Sequence, residues 1–484
     1  MIGVVTLIAA ALRLIDLRRP GGKIFDEIFY AIEANTMLTH GVEWDVKVED
    51  GIETVLDTPK YIVHPPLGKW CIALGEQLFG YNEYGWRISA AVFGTLSILL
   101  VIIVARRLFR STLLGCAAGL LMSLDGLHFV LSRSALLDIF LMFFIVASFT
   151  CLVFDRDRRR AQWLRALEGG LNPNRRGKAG SPRMGFPWWR LAAAVCIGAA
   201  AAVKWSAIWY LLLFLLFLIL WEAGTRRSVG SRTPWADTIV TQTGWMVLFT
   251  VVAVGAYLAS WAGWFVTDDG YFRHWLADNN QRELPVIGAL HNLWHYHESM
   301  WTFHTGLSSH HQYQSWPWQW LLLGRPVAFY WSGDGPCGAG SCAAEVLLLG
   351  TPLLWWSFLP ALGALAWIGI ARRDWRALAI GLGAAAGIVP WFWNQLDSRT
   401  MFYFYALPAL PFLVLAVVYV LGAIIGPRPA PGASTDRRVV GAVIAGAYLL
   451  LIAACFAYFY PIYTGMTLTH AEWFSRMWLG GRWI

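Results

Sequence analysis

Trp86-Arg-Ile-Ser-Ala-Ala-Val-Phe-Gly-Thr-Leu-Ser-Ile-Leu-Leu-Val-Ile-Ile-Val-Ala-Arg106-Arg107-Leu-Phe-Arg110 is the stretch that decides the fold. No residue between Arg87 and Arg106 is charged, and roughly 20 apolar residues are what an α-helix needs to cross a bilayer. Comparable runs recur near 2–17, 112–124, 135–154, 191–203, 205–221, 243–264, 352–371, 377–392, 402–425 and 439–460. With the 86–105 run they predict about eleven transmembrane helices by hydropathy. The 484-residue chain is 57% hydrophobic and 14% charged, where an ordinary soluble domain carries about 25% charged residues. A string of soluble domains is thereby excluded. The expectation is an all-α integral membrane protein whose residues 1–484 form a single membrane-embedded domain.

Basic residues set the orientation. Arg106, Arg107 and Arg110, the cluster from Arg156 to Arg190, Arg226-Arg227, Arg372-Arg373, and Arg428 with Arg437-Arg438 fall on one side if the helices alternate. Positively charged loops stay in the cytoplasm. This predicts a multi-pass plasma-membrane protein with its N-terminus in the cytoplasm. Asp26, Glu27, Asp268, Asp269 and Asp397 then lie on the extracytoplasmic side. The formal net charge is +8, but no basic patch accompanies a nucleic-acid-binding motif, so no nucleic acid partner is expected. The basic 155–190 loop reads as cytoplasmic, either resting on anionic lipid headgroups or only setting topology. Two long extracytoplasmic loops, 18–85 and 265–351, are rich in Trp, Tyr, His and Pro, and are expected to carry amphipathic helices along the membrane. Cys337 and Cys342 flank Gly-Ala-Gly-Ser in the second of these, where a disulfide is plausible outside the cytosol.

Asp26-Glu27 opens the first long loop. A carboxylate there can take the proton of an acceptor hydroxyl as it attacks. The same pair also suits the first turn of a helix, where acidic residues are favoured. His64-Pro-Pro-Leu-Gly-Lys69 follows, and Lys69 could meet a lipid phosphate or snorkel to the interface. Arg87 sits at the level of outer-leaflet phosphates, as a phosphate ligand or an anchor. Arg133 and Asp138, in the next outer turn, could form a structural ion pair. Lys204 and Arg399 are further candidate phosphate cations. His291 and His295 lie one helical turn apart, but lack the His-Glu-x-x-His pattern of a zinc site; no metal site is assigned. No Gly-rich phosphate loop precedes a helix, so a donor carried by the membrane itself is expected rather than a nucleotide sugar.

Phe25-Asp26-Glu27, His64 to Lys69, Arg87, and Ser132-Arg133 through Asp138 together resemble the protein O-mannosyltransferase family. Met300-Trp-x-Phe-His304, His310-His311-x-Tyr313-x-Ser315, Trp316-Pro-Trp-x-Trp320, Gly350 to Trp355 and Arg399 to Tyr403 resemble its actinobacterial-type members. The resemblance implies a GT-C-type bundle and a polyprenyl-phosphate-mannose donor. The acceptors would be Ser or Thr hydroxyls of secreted proteins, with the secretion translocon as a potential partner. Transfer would invert the sugar in a single displacement, with no cofactor required. Asp26 would be the base and Glu27 its support. Arg87 would bind the donor phosphate, with Lys69, Arg133, Lys204 and Arg399 as further candidates. His64, Asp138, His304, His310, His311 and Tyr313 match motif positions without a defined role. A related GT-C transferase acting on a lipid or glycan acceptor is the alternative. A transporter is disfavoured because no repeat is visible. The soluble MIR domain of eukaryotic members is not apparent, and the 265–351 loop is too short to hold it.

Overall fold

A computed structural model describes residues 1–484 except 176, 184 and 428–434; Arg428, one of the expected basic-side residues, lies outside the described residues. The first half of the chain forms α1 (Ile2–Leu14), α2 (Glu27–His40), α3 (Leu67–Phe79), α4 (Glu83–Phe109), α5 (Thr112–Ser123), α6 (Gly126–Leu131), α7 (Asp138–Glu168), α8 (Trp188–Ala201), α9 (Ile208–Ser228) and α10 (Pro234–Ala259). The second half forms α11 (Ala262–Val266), α12 (Trp275–Asp278), α13 (Ile287–Gly306), α14 (Pro317–Trp320), α15 (Pro352–Arg372), α16 (Trp375–Ile388), α17 (Pro390–Leu396), α18 (Leu410–Ile425), α19 (Asp436–Thr464) and α20 (His470–Phe474).

Eight helical runs among the described residues are long and apolar enough to cross a membrane, and α1, α5 and α8 are apolar but shorter. The runs of α4, α7 and residues 403–425 are 67, 72 and 78% buried, which puts them at the centre of the bundle. Those of α10 and α19 are only 17 and 28% buried and stay apolar on their outer faces, as helices bordering lipid do.

Several polar side chains inside the bundle are partnered by one another. Arg13 of α1 donates to His128 Nδ1 at 2.7 Å, and His128 Nε2 pairs with Ser97 of α4 at 2.9 Å. Asp125 accepts from Trp355 Nε1 at 2.6 Å, which ties α6 to α15. Each link fixes a helix against its neighbour, because an unpaired polar group there would carry a large desolvation cost.

The expectation of an all-α chain is corrected by five strands among the described residues. β1 (Trp44–Glu49) and β2 (Ile52–Pro59) form an antiparallel hairpin in the first long loop. Asp50 and Gly51 at its tip have φ of 53° and 77°, the left-handed pair that a tight type I′ hairpin turn requires. β3 (Val327–Ser332), β4 (Cys342–Leu348) and β5 (Thr467–Thr469) form a second antiparallel sheet in the order β3-β4-β5. Cys337 and Cys342 are joined by a disulfide across the β3–β4 connection, with Cα atoms 5.8 Å apart. This sheet carries the C-terminal segment back onto the second long loop.

Candidate active site

Asp26 sits at the start of α2 with no side-chain capping bond. The turn before it is unusual. Phe25 has φ 47°, a left-handed conformation that a bulky residue adopts only when its surroundings enforce it. Here the Phe25 ring stacks on Phe329 of β3 at 4.5 Å and meets Phe402 and Phe404 edge-on at 6.5 and 6.1 Å. The second sheet thereby holds the Asp26 turn in place.

The two adjacent carboxylates differ in every respect. Glu27 is fully buried and accepts from Arg87 Nε and Nη2, both at 2.8 Å, from Ile24 N at 3.0 Å and from Ala135 N at 2.9 Å. Asp26 is half-buried, and its carboxylate has no hydrogen-bond or ion-pair partner among the described residues. Burial, together with the negative charges of Asp138 and Glu33, pushes its pKa up to about 6 against the opposing pull of Lys204. Such a carboxylate is ionised at neutral pH yet holds a proton more firmly than an ordinary aspartate, which suits a general base.

Of the expected cations, two face this carboxylate's surroundings. Lys204 Nζ donates to Asp138 Oδ2 at 2.7 Å and lies 5.8 Å from the Tyr405 ring centre. The Arg399 guanidinium is also 5.8 Å from Tyr405, on which both cations therefore converge. Arg399 donates to the His304 carbonyl at 3.0 Å and pairs with His304 Nδ1 at 3.3 Å. Its Nη1 is buried with no partner among the described residues. His304 Nε2 lies 2.6 Å from the Val63 carbonyl and its ring is 5.1 Å from that of His64. Burial and the surrounding cations hold His64 well below the usual histidine range, and His304 is pushed down to about 4, chiefly by burial. Both are therefore neutral at physiological pH. Asp26, His64, Asp138, Lys204, His304 and Arg399 form one polar cluster roofed by Trp391, Phe404 and Tyr405.

Three of the expected phosphate ligands, Arg87, Arg133 and Lys69, are engaged by other partners in this structure. Arg87 is fully buried. Besides gripping Glu27, it donates to the carbonyls of Leu17 (3.3 Å), Pro20 (2.8 Å) and Gly22 (2.9 Å), so no N–H is left for a ligand. Arg133 donates to the carbonyls of Leu12, Arg13, Ile15 and Asp16 at 2.6–3.3 Å, where the end of α1 leaves its acceptors unpaired. Lys69 is 1% exposed and lies 3.3 Å from Glu33 and 2.5 Å from Glu43, with Lys60 completing the group at 2.9 Å from Glu33. Arg133 and Asp138 do not pair with each other.

His311 borders the cluster through Phe402 at 5.0 Å and accepts from Tyr313 N at 3.1 Å. The Tyr313 ring instead receives Arg325 at 5.4 Å, and His310 is exposed. Among the described residues no group of three His, Cys, Asp or Glu side chains is placed to hold a metal ion. Sequence reasoning missed Glu33 and Glu43, the partners of Lys69, and Tyr405 and Trp391, the aromatic wall. One signal was available: Asp26, Tyr30 and Glu33 follow the spacing of a single helix face.

The architecture is that of multi-pass membrane glycosyltransferases of GT-C type. A solved structure of the Saccharomyces cerevisiae protein O-mannosyltransferase Pmt1–Pmt2 complex bound to the sugar donor aligns with a TM-score of 0.73 at 15% identity, over 100% of this chain and 92% of that one. Residues 3–172 match the family described as dolichyl-phosphate-mannose-protein mannosyltransferase, and 289–483 match the C-terminal four-transmembrane region of protein-O-mannosyltransferase. Polyprenol-phosphate-mannose–protein mannosyltransferases are similar along the whole length. That of Mycolicibacterium smegmatis is 40% identical over 99% of this chain and 92% of its own. That of Mycobacterium tuberculosis is 37% identical over 99% and 90%, and that of Corynebacterium glutamicum 34% over 99% and 92%. The chain belongs to the protein O-mannosyltransferase family.

Proposed function

We propose that this chain transfers mannose from polyprenyl-phosphate-mannose to Ser or Thr hydroxyls of exported proteins, at the extracytoplasmic face of the plasma membrane. The observation that carries this reading is the Asp26 carboxylate, free of partners while Glu27, Glu33 and Asp138 around it are each paired. The acceptor hydroxyl donates its proton to Asp26 as its oxygen attacks C1 of mannose from the face opposite the phosphate. The C1–O bond to the phosphate breaks, the sugar inverts, and polyprenyl phosphate leaves as an anion. No second carboxylic acid is needed for such a leaving group. Fixed positive charge where the anion develops lowers the barrier, and Arg399 Nη1 with the free N–H groups of Lys204 supply it.

The polyprenyl chain has a place to lie. An apolar cleft of about 810 Å³ is lined by Trp209, Leu213, Trp318, Leu382 and Trp393, beside the α17 helix that leads into Arg399. Arg87 and Glu27 take the role of positioning residues: their ion pair fixes the loop on which Asp26 stands. In this reading the Asp26 end faces outward and the N-terminus lies in the cytoplasm, which the positive-inside bias of the arginines supports.

The test uses purified full-length protein, polyprenyl-phosphate-mannose and a Ser/Thr-rich peptide. Asp26→Asn is expected to lower the transfer rate by about 10²–10⁴-fold with an unchanged melting profile. Wild-type rates in a folded Asp26→Asn protein would remove Asp26 as the base.

A further inference from the structure

A second charged site lies at the opposite end of the bundle. A cleft of about 1290 Å³ opens where α4 ends, α5 begins, α7 leaves the apolar core and α15 turns into α16. Eight arginines line it, at 106, 107, 110, 156, 160, 372, 373 and 376, against two aspartates, 157 and 374. The aspartates are already used. Asp157 lies 3.3 Å from Arg107 and 3.6 Å from Arg156, and Asp374 is 2.6 Å from Arg376. Arg156 also stacks over Trp375 at 3.4 Å. Arg106, Arg110, Arg160, Arg372 and Arg373 have no ion-pair or hydrogen-bond partner for their guanidinium groups among the described residues.

Positive charge that only sets topology needs no shared cavity. Elsewhere on this end the buried arginines are neutralised one by one: Arg159 binds Glu222 and Arg190 binds Asp155, both at 2.8 Å, and Arg226 lies 3.2 Å from Glu222. The cleft is different because five of its eight guanidiniums line one space with no partner among the described residues. Two of them, Arg110 and Arg373, have φ of 51° and 49° at the ends of α4 and α15, positions where helices usually place glycine. The start of α5 opens onto the same space at Ser111 and Thr112, which adds the favourable field of a helix N-terminus. Ile103, Leu108, Phe154 and Leu164 make part of the wall apolar. This combination lies where α4 and α7 leave the apolar layer.

We propose that this cleft binds the phosphate headgroup of an anionic membrane lipid, with guanidinium forks on the phosphate and acyl chains along the Ile103–Leu164 side. The catalytic cluster takes no part, so the site is separable from mannose transfer. Binding is measured on full-length protein in nanodiscs of phosphatidylcholine carrying a trace of labelled cardiolipin or phosphatidylglycerol. Inorganic phosphate and pyrophosphate serve as soluble competitors.

The triple variant Arg106→Gln, Arg110→Gln, Arg373→Gln is expected to weaken retention of the anionic lipid by about tenfold or more, since each basic residue near a membrane surface contributes appreciably. A charge-matched triple, Arg227→Gln, Arg437→Gln, Arg438→Gln, is expected to change it by less than about threefold. Equal loss in both triples would reduce the effect to general surface attraction and overturn the site. Displacement of the lipid by millimolar pyrophosphate would assign the cleft to a soluble anion instead. Transfer of mannose to peptide in detergent, unchanged in the first triple, shows that the variant is folded.

Discussion

Glu27 accepts four hydrogen bonds from buried donors, while its neighbour Asp26 accepts none from the described residues. Chemistry follows from that difference, because a carboxylate already saturated with donors is a poor proton acceptor. The pH dependence should show it. The proposed base Asp26 can accept a proton only when ionised, and burial pushes its pKa up to about 6. The acid limb of kcat/KM is therefore expected near pH 6, with activity falling as pH drops through that value. His64 and His304 are depressed and stay neutral across the window. An acid limb near pH 4 would mean that a different carboxylate is the base. The arginines separate in the same way. Arg87→Ala leaves Glu27 as an unpaired buried charge and is expected to cost about 3–5 kcal/mol of stability, read as a lower melting temperature. Arg399→Ala is expected to leave the melting temperature nearly unchanged and raise the donor KM by about 10–100-fold, the worth of a charge-assisted hydrogen bond. The reverse pattern would return the phosphate role to Arg87.

The β3–β4–β5 sheet meets the Asp26 turn through the Phe329–Phe25 stack. Phe329→Ala removes that ring while touching no atom of the catalytic cluster. The left-handed Phe25 should then relax, lowering kcat with little change in donor KM. An unaltered kcat in Phe329→Ala would show that the turn holds itself. The sheet illustrates what a linear reading loses. The β1–β2 hairpin had a local signal, alternating Val46 and Val48 followed by Asp50-Gly51, and the abundance of aromatic residues around it favoured a helical reading instead. β5 had no such signal. Three residues of the C-terminal tail form a strand only because β4 offers an edge 120 residues or so away in sequence.

At the scale of the whole molecule, the two ends carry opposite chemistry: a carboxylate–histidine–cation cluster at one and an arginine cleft at the other. Labelling fixes which end faces out. Single cysteines at Asn280 and Ser231 lie on opposite sides of α10. A membrane-impermeant thiol reagent is expected to reach Asn280→Cys in intact cells, and Ser231→Cys only after permeabilisation. The opposite pattern would invert the orientation.

The sequence by itself determined the membrane class and the long apolar helices, because bilayer thickness acts on composition along the chain. It also singled out Asp26, through the ordered motifs around it. Which of five candidate cations remains available was decided by tertiary structure alone. Arg87, Arg133 and Lys69 look the same as Lys204 and Arg399 in a linear reading. Their partners, Glu27, the carbonyls at the end of α1, and Glu33 with Glu43, reach them only when separate helices pack. A charge is structural or functional according to what else is within about 3 Å of it, and that is a property of the fold.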